Sequence, residues 1–181
     1  MKYHPKNEGK DHINAYSKSL TSLGKKLTNF YYSPFEHPKH GNFNSVEGLW
    51  YYLKTGRVFN QFRKLSGYQA KKEGQKIQKS IGMYDSSDKT FLSDEFKEDI
   101  KEGIRSKLRD NVGILNELIS TDLPIAHYYY FGDPEKSNVR IKELTEYKWI
   151  IDEIERIREI SKQHLEKNQK KKFTKKKKNK P

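Results

Sequence analysis

Apolar residues recur at every fourth position in Phe96, Ile100, Ile104 and Leu108, the spacing of a buried helical stripe. Residues 94–110 are therefore predicted to form a helix, with Ser93 or Asp94 as its cap. Ile114, Leu115, Leu118 and Ile119 predict a second helix, stopped by Thr121-Asp122-Leu123-Pro124. Ile141, Leu144, Trp149, Ile151, Ile154, Ile157, Ile160 and Leu165 predict a long closing helix. Upstream, Leu27 to Phe35 alternates only in part and reads as a loop or short edge strand ending at Ser33-Pro34. His37-Pro38-Lys39-His40-Gly41-Asn42 reads as a turn. A helix should follow, capped by Ser45 and stopped at Gly56. Gly48 inside it costs about 1 kcal/mol relative to Ala, unless backbone must come close there. Phe59 to Leu65 reads as a short helix, and Tyr68 to Ile81 as another, interrupted by Gly74. Residues 82–94 read as a polar loop. Ile125 to Phe131 reads as an aromatic strand ended by Gly132-Asp133-Pro134. The expected fold class is mainly α (α+β), with two to four short strands and no internal repeat.

Composition sharpens this picture in two places. The chain has 181 residues and no cysteine, so disulfides, thiolate metal sites and a cysteine nucleophile are excluded. Of the net charge of +13, residues 161–181 supply +9 through ten lysines against Glu166 alone. The expected organisation is a polar lead at 1–26, one domain at 27–160 and a basic tail at 161–181. Self-repulsion should leave the tail disordered. Lys170, Lys171, Lys172, Lys175, Lys176, Lys177 and Lys178 would there attract nucleic acid, because each neutralised phosphate releases counterions. No apolar run approaches a membrane span, and no apolar segment follows Met-Lys-Tyr-His-Pro-Lys, so neither membrane nor signal peptide is expected. A cytoplasmic location fits.

The most informative stretch is Ser45 to Lys54. At helical spacing Glu47, Trp50, Tyr51 and Lys54 fall at i, i+3, i+4 and i+7, on one face. An acid, two aromatics and an amine suit the wall of a pocket. The same pattern also suits a plain amphipathic helix whose lysine extends to solvent and whose Glu47 serves the helix dipole. Strand alternation sets Tyr128 and Tyr130 on one side and Tyr129 on the other. The six histidines show no metal-ligand spacing, and no phosphate-loop or dinucleotide motif is present. No metal and no cofactor are expected.

Several segments together resemble one family. Leu27-Thr28-Asn29-Phe30-Tyr31-Tyr32-Ser33-Pro34-Phe35 is similar to the Leu-Ser-Asn-Phe opening of the NADAR (YbiA-like) domain. Ser45-Val46-Glu47 through Lys54 resembles its central motif. Gln69-Ala70-Lys71-Lys72-Glu73-Gly74-Gln75-Lys76 looks like its Ala-Lys-x-x-Gly-Arg helix, and Ile104 to Asn111 like its Leu-Arg-x-Lys-Phe-x-x-Asn segment. Leu115 to Thr121 and Tyr130-Phe131-Gly132-Asp133 match the elements that follow. Order and spacing agree across residues 27–160. The chain departs at Gly48, where the family has His, at Tyr52-Leu53, where it has Gln-Ala, and at Phe131, where it has Trp.

The resemblance implies a single helical or α+β domain that hydrolyses N-glycosidic bonds of ribose derivatives. One branch of the family acts on phosphorylated riboflavin intermediates, and another removes ADP-ribose from guanine in nucleic acid. A binding module that kept the pocket without the activity is the third possibility. Cleaving a C1′–N bond builds positive charge on C1′, which a carboxylate can stabilise; Glu47 is the candidate. A lysine of lowered pKa could instead form a Schiff base, and Lys107 and Lys54 stand at family lysine positions. Arg105 and Arg109 would supply the cation that lowers the pKa of Lys107. Asn29, Phe30, Trp50, Tyr51, Tyr130, Gly132 and Asp133 are the candidate substrate-binding residues.

Overall fold

The computed structural model describes residues 3–82 and 93–178. Its helices are α1 (Ser22–Leu27), α2 (Val46–Lys54), α3 (Gly67–Ser80), α4 (Asp94–Asp110), α5 (Val112–Ile119) and α6 (Lys148–Lys178). Its strands are β1 (Ile13–Asn14), β2 (Phe35–His37), β3 (Gly41–Phe43), β4 (Ile125–Ala126), β5 (Tyr128–Phe131) and β6 (Arg140–Glu143). The strands form three separate pairs: β1 parallel to β4, β2 antiparallel to β3, and β5 antiparallel to β6. The fold is thus α+β, with more strands than the sequence pattern indicates and each pair short.

Helix α2 lies at the centre. Ser45 caps it, its Oγ accepting from the Gly48 amide at 3.0 Å. Nearly every α2 residue is buried, and Val46 and Leu49 are fully so. Such burial on all sides requires neighbours at close range, and glycines admit them. A Cβ at Gly48 would lie 2.3 Å from the Phe62 carbonyl oxygen, and one at Gly74 of α3 would lie 1.9 Å from the Tyr51 ring. Gly48 is therefore the close backbone approach that its helix-breaking cost demands, and a histidine there would collide with the 3₁₀ turn Asn60–Lys64. Gly74 does not interrupt α3; it seats the helix against Tyr51. On the far side, the stripe Phe96, Ile100, Ile104 and Leu108 of α4 is buried as its period predicts.

Two sequence expectations fail at the ends. Residues 3–26 are not a mere polar lead but part of the domain. Ile13, Ala15 and Leu23 join the core, and β1 pairs with β4. Buried Glu8 accepts from Ser19 Oγ, the Leu20 amide at 3.0 Å and Thr21 Oγ1 at 3.1 Å. Asn14 exchanges two hydrogen bonds of 3.1 Å with the Tyr128 backbone. Polar side chains order this segment, and hydrophobic periodicity does not register them. The basic tail is helical to Lys178, not disordered; lysine has good helix propensity, and α6 is already nucleated on the body. Arg158 donates to the Leu123 carbonyl at 2.7 Å, and Lys162 donates to the Thr121 carbonyl at 3.2 Å. The closing helix also begins later than its apolar residues imply. Ile141 sits on β6 opposite Tyr130, and Leu144 precedes a 3₁₀ turn over Thr145–Tyr147. Most of the polar loop expected at 82–94 lies outside the described residues. Among the described residues, no helix is long and apolar enough to cross a membrane.

Candidate functional site

One face of α2 opens on a cavity of about 420 Å³, within the range of small-molecule sites. Glu47, Trp50, Tyr51 and Lys54 all line it, as their i, i+3, i+4, i+7 spacing requires. The turn after α1 brings Thr28, Asn29 and Phe30, α3 brings Lys71, and residues 15–17 close another side. His127, Tyr129, Tyr147, Ile150 and Ile151 complete the wall. The Glu47 amide donates to the Asn29 carbonyl at 2.9 Å, so the 28–30 turn is pinned to the start of α2.

Glu47 is the electrostatic centre of the cavity. It is only 8% exposed, and among the described residues no group hydrogen-bonds to its carboxyl. Burial pushes its pKa up to about 8, against the opposing fields of Lys71 and Lys54. At neutral pH the carboxyl therefore holds its proton. It is a donor, where the sequence reading made it an anion. Burial, followed by the charge of Glu47, also raises the Tyr129 phenol. For Tyr147 burial is again the main cause, with Glu146 and Glu47 adding to it. His127 donates from Nδ1 to the Ala15 carbonyl at 2.8 Å. Burial lowers its pKa, so the ring is neutral and Nε2 remains an acceptor.

The aromatic side chains differ in how committed they are. The Trp50 ring meets Phe96 edge-on at 4.8 Å and lies parallel to Trp149 at 6.4 Å. Tyr51 stacks on Phe62 at 6.0 Å. These two are packing residues that also line the cavity. Tyr129, leaning on Tyr16 at 4.9 Å, enters the lining from β5, on the other side of its strand from buried Tyr128.

Lys107, Tyr130, Gly132 and Asp133 do not line the cavity. Lys107 is 2% exposed, and its Nζ donates to the carbonyls of Lys26 at 2.7 Å and Thr28 at 2.8 Å. Its pKa falls to about 7, but through burial, not through a neighbouring cation. Arg105 is engaged by Glu98, Glu102 and Glu153, and Arg109 by Asp110. Lys107 therefore positions the turn that carries Asn29 and Phe30. Tyr130 donates to the Lys18 carbonyl at 2.7 Å, and Gly132 and Asp133 are exposed at the turn beyond β5. The family-like Tyr-x-Gly-Asp segment thus ends a hairpin strand away from the cavity.

Sequence reasoning missed Tyr16, Ser17, His127 and Tyr147. Residues 16 and 17 lie in the segment read as a lead, and Tyr147 in a stretch read as helix. Lys71 stood only as part of a motif; its place one helical turn before buried Gly74 was the available signal. His37, His40 and Asp99 also come together, with ligand atoms all within 4.8 Å of one another, although no histidine spacing announces it. Their groups already have partners. His37 Nε2 donates to the Asp99 carbonyl at 3.0 Å, and its Nδ1 accepts from the Lys39 and His40 amides. The Asp99 carboxylate meets His40 at 2.9 Å and Arg57 at 3.3 Å. Arg57 and Lys39 supply the positive charge there, which disfavours a cation. No family model, curated protein or solved structure matches the chain.

Proposed function

We propose that this chain is an N-glycosidase that hydrolyses a ribosyl–nucleobase bond, with ADP-ribose on guanine in nucleic acid as the first substrate to test. The carrying observation is Glu47, a buried carboxyl with its pKa at about 8, in a 420 Å³ cavity that also receives Lys54 and Lys71. The resemblance to NADAR domains points the same way.

The chemistry follows from that carboxyl. The C1′–N bond breaks and its electron pair passes to the base nitrogen, which takes the proton of Glu47. The carboxylate so formed faces the positive charge left on C1′. Water adds to C1′, and its proton returns to Glu47. Lys54 and Lys71 would hold the phosphate groups of the substrate. The aromatic walls exclude water and flank the base. No imine on Lys107 is needed, because its amine is committed to two carbonyls.

The test is incubation with ADP-ribosylated guanine in an oligonucleotide, followed by detection of free ADP-ribose. Release that disappears in Glu47→Gln supports the reading. The two cavity lysines equally suit a phosphorylated ribosylamino-pyrimidine of riboflavin synthesis, which is the second substrate to assay. Thermal stabilisation by ADP-ribose without release from either substrate would make the chain a binding module.

A further inference from the structure

We propose that the rim beside the cavity, built from the 28–34 segment and the outer face of α3, is a docking surface for single-stranded nucleic acid. Tyr68, Lys72, Lys76 and Lys79 are all exposed. At about 100° per residue they fall within roughly 80° of arc on α3. The buried residues Ala70, Gly74 and Ile77 occupy the opposite side. Lys72, Lys76 and Lys79, with Gln75 and Ser80, line a shallow surface groove. Residues 72–79 span roughly 10 Å of helix, about three stacked nucleotides at ~3.4 Å per nucleotide.

Exposed aromatics stand at the entry of α3 and on the 28–34 segment tied to it. Tyr68 is 70% exposed, Tyr32 60% and Tyr31 37%. A Cβ at Gly67, next to Tyr68, would lie 3.4 Å from the Phe30 carbonyl oxygen, so the 28–34 segment passes close to the start of α3. The Ser33 amide donates to the Asn44 carbonyl at 2.9 Å, and the Asn44 side chain donates to the Lys64 carbonyl at 3.0 Å. The tyrosine-bearing segment is therefore tied to the entry of α3, and Phe30 and Lys71 carry the rim into the cavity. A lysine stripe with an exposed tyrosine at its head fits a strand whose phosphates are neutralised and whose bases stack. An acidic protein would match the lysines and leave the tyrosines unexplained. A duplex keeps its bases stacked and offers the rings nothing.

The inference deepens the proposed function by naming how a nucleic-acid substrate approaches, yet an unmodified strand tests it separately. Fluorescence anisotropy with the full chain and a labelled 12-nucleotide single strand is the measurement. Replacing Lys72, Lys76 and Lys79 together by Ser should reduce the slope of log affinity against log salt by about 2, three contacts at ~0.7 each. Tyr68→Ser should weaken binding about tenfold, the stacking of one base. These side chains are exposed, and unchanged circular dichroism and Tm would verify the fold. An unchanged salt slope in the triple variant overturns the proposal. So does tighter binding of a duplex, or equal competition by polyglutamate. Strand binding without ADP-ribose release from any adduct keeps this surface and removes the glycosidase reading. Release from a mononucleotide adduct, with wild-type strand affinity in the triple variant, does the reverse.

Discussion

Replacing Glu47 by Gln should stabilise the protein and, on the glycosidase proposal, remove most turnover, and the pH dependence of the stabilisation separates this from ordinary mutational gains. The unfolded chain releases the Glu47 proton near 4.5, while the folded protein keeps it to about 8. Between those values the folded state binds more protons, so stability falls as pH rises through the window and levels off above it. At 1.36 kcal/mol per pH unit, the whole interval is worth on the order of 5 kcal/mol, and about 3 kcal/mol of it has been lost by pH 7. Gln has no charge to bury and escapes this loss. Thermal unfolding of both proteins from pH 4.5 to 8.5 is the assay. Other titrating groups are common to both and cancel in the difference. At ~2–4 °C per kcal/mol for a chain of this size, Glu47→Gln should melt on the order of 10 °C above the wild type at pH 8, and the two curves should meet near pH 4.5. Turnover should fall by at least about two orders of magnitude. A Tm difference that stays constant across the range, or a Gln variant less stable at pH 8, would refute the buried-proton argument.

Four further outcomes follow from the same geometry. Lys107→Met should strand the carbonyls of Lys26 and Thr28, at about 1–3 kcal/mol for a buried acceptor left unpaired. Because the folded pKa of Lys107 lies at about 7 and the unfolded one at 10.5, wild-type stability gains as pH rises through that interval, and the deficit of the variant should widen there in thermal melts. Borohydride reduction during turnover, read by peptide mass spectrometry, should leave Lys107 unmodified. Gly48→Ala should lower Tm despite a gain of about 1 kcal/mol in helix propensity, since its Cβ would meet the Phe62 carbonyl at 2.3 Å. The rate profile of kcat/KM should fall as pH rises through about 8, where Glu47 loses its proton.

What could be read from the sequence depended on the kind of interaction. The α4 stripe and the α2 face are periodic, and periodicity survives folding because one side of each helix must meet other elements. Glu47, Trp50, Tyr51 and Lys54 reached one cavity for that reason. Lys107 shows the limit. Its motif position singled it out as a candidate nucleophile, but that it would be spent on the carbonyls of Lys26 and Thr28 depends on a turn some eighty residues earlier. The 3–26 segment was illegible because Glu8 and Asn14 order it through side-chain hydrogen bonds, which have no period. The metal-like grouping of His37, His40 and Asp99 is equally a product of tertiary packing, β2 and its turn against α4. Lysine repulsion pointed to a disordered end, where local propensity and the anchored start of α6 carry the helix onward.

The two cavity lysines give the site a dependence on its ligand. Lys71 and Lys54 pull the pKa of Glu47 down, against a larger upward push from burial. A substrate whose phosphates pair with those lysines offsets their field, and its own negative charge opposes ionisation of the carboxyl further. Closing the cavity on such a ligand also removes water from around Glu47. Each effect acts in the same direction, so binding an anionic substrate should make the acid hold its proton to higher pH. An uncharged riboside would supply only the loss of water. The alkaline limb of kcat reports the bound complex and that of kcat/KM the free protein. For a phosphorylated substrate the limb in kcat should lie above the limb near 8, and for an uncharged riboside the two should lie closer together. Identical limbs with the phosphorylated substrate would mean that its charge is held away from Lys54 and Lys71, and that these lysines serve the cavity in some other way than by gripping phosphate.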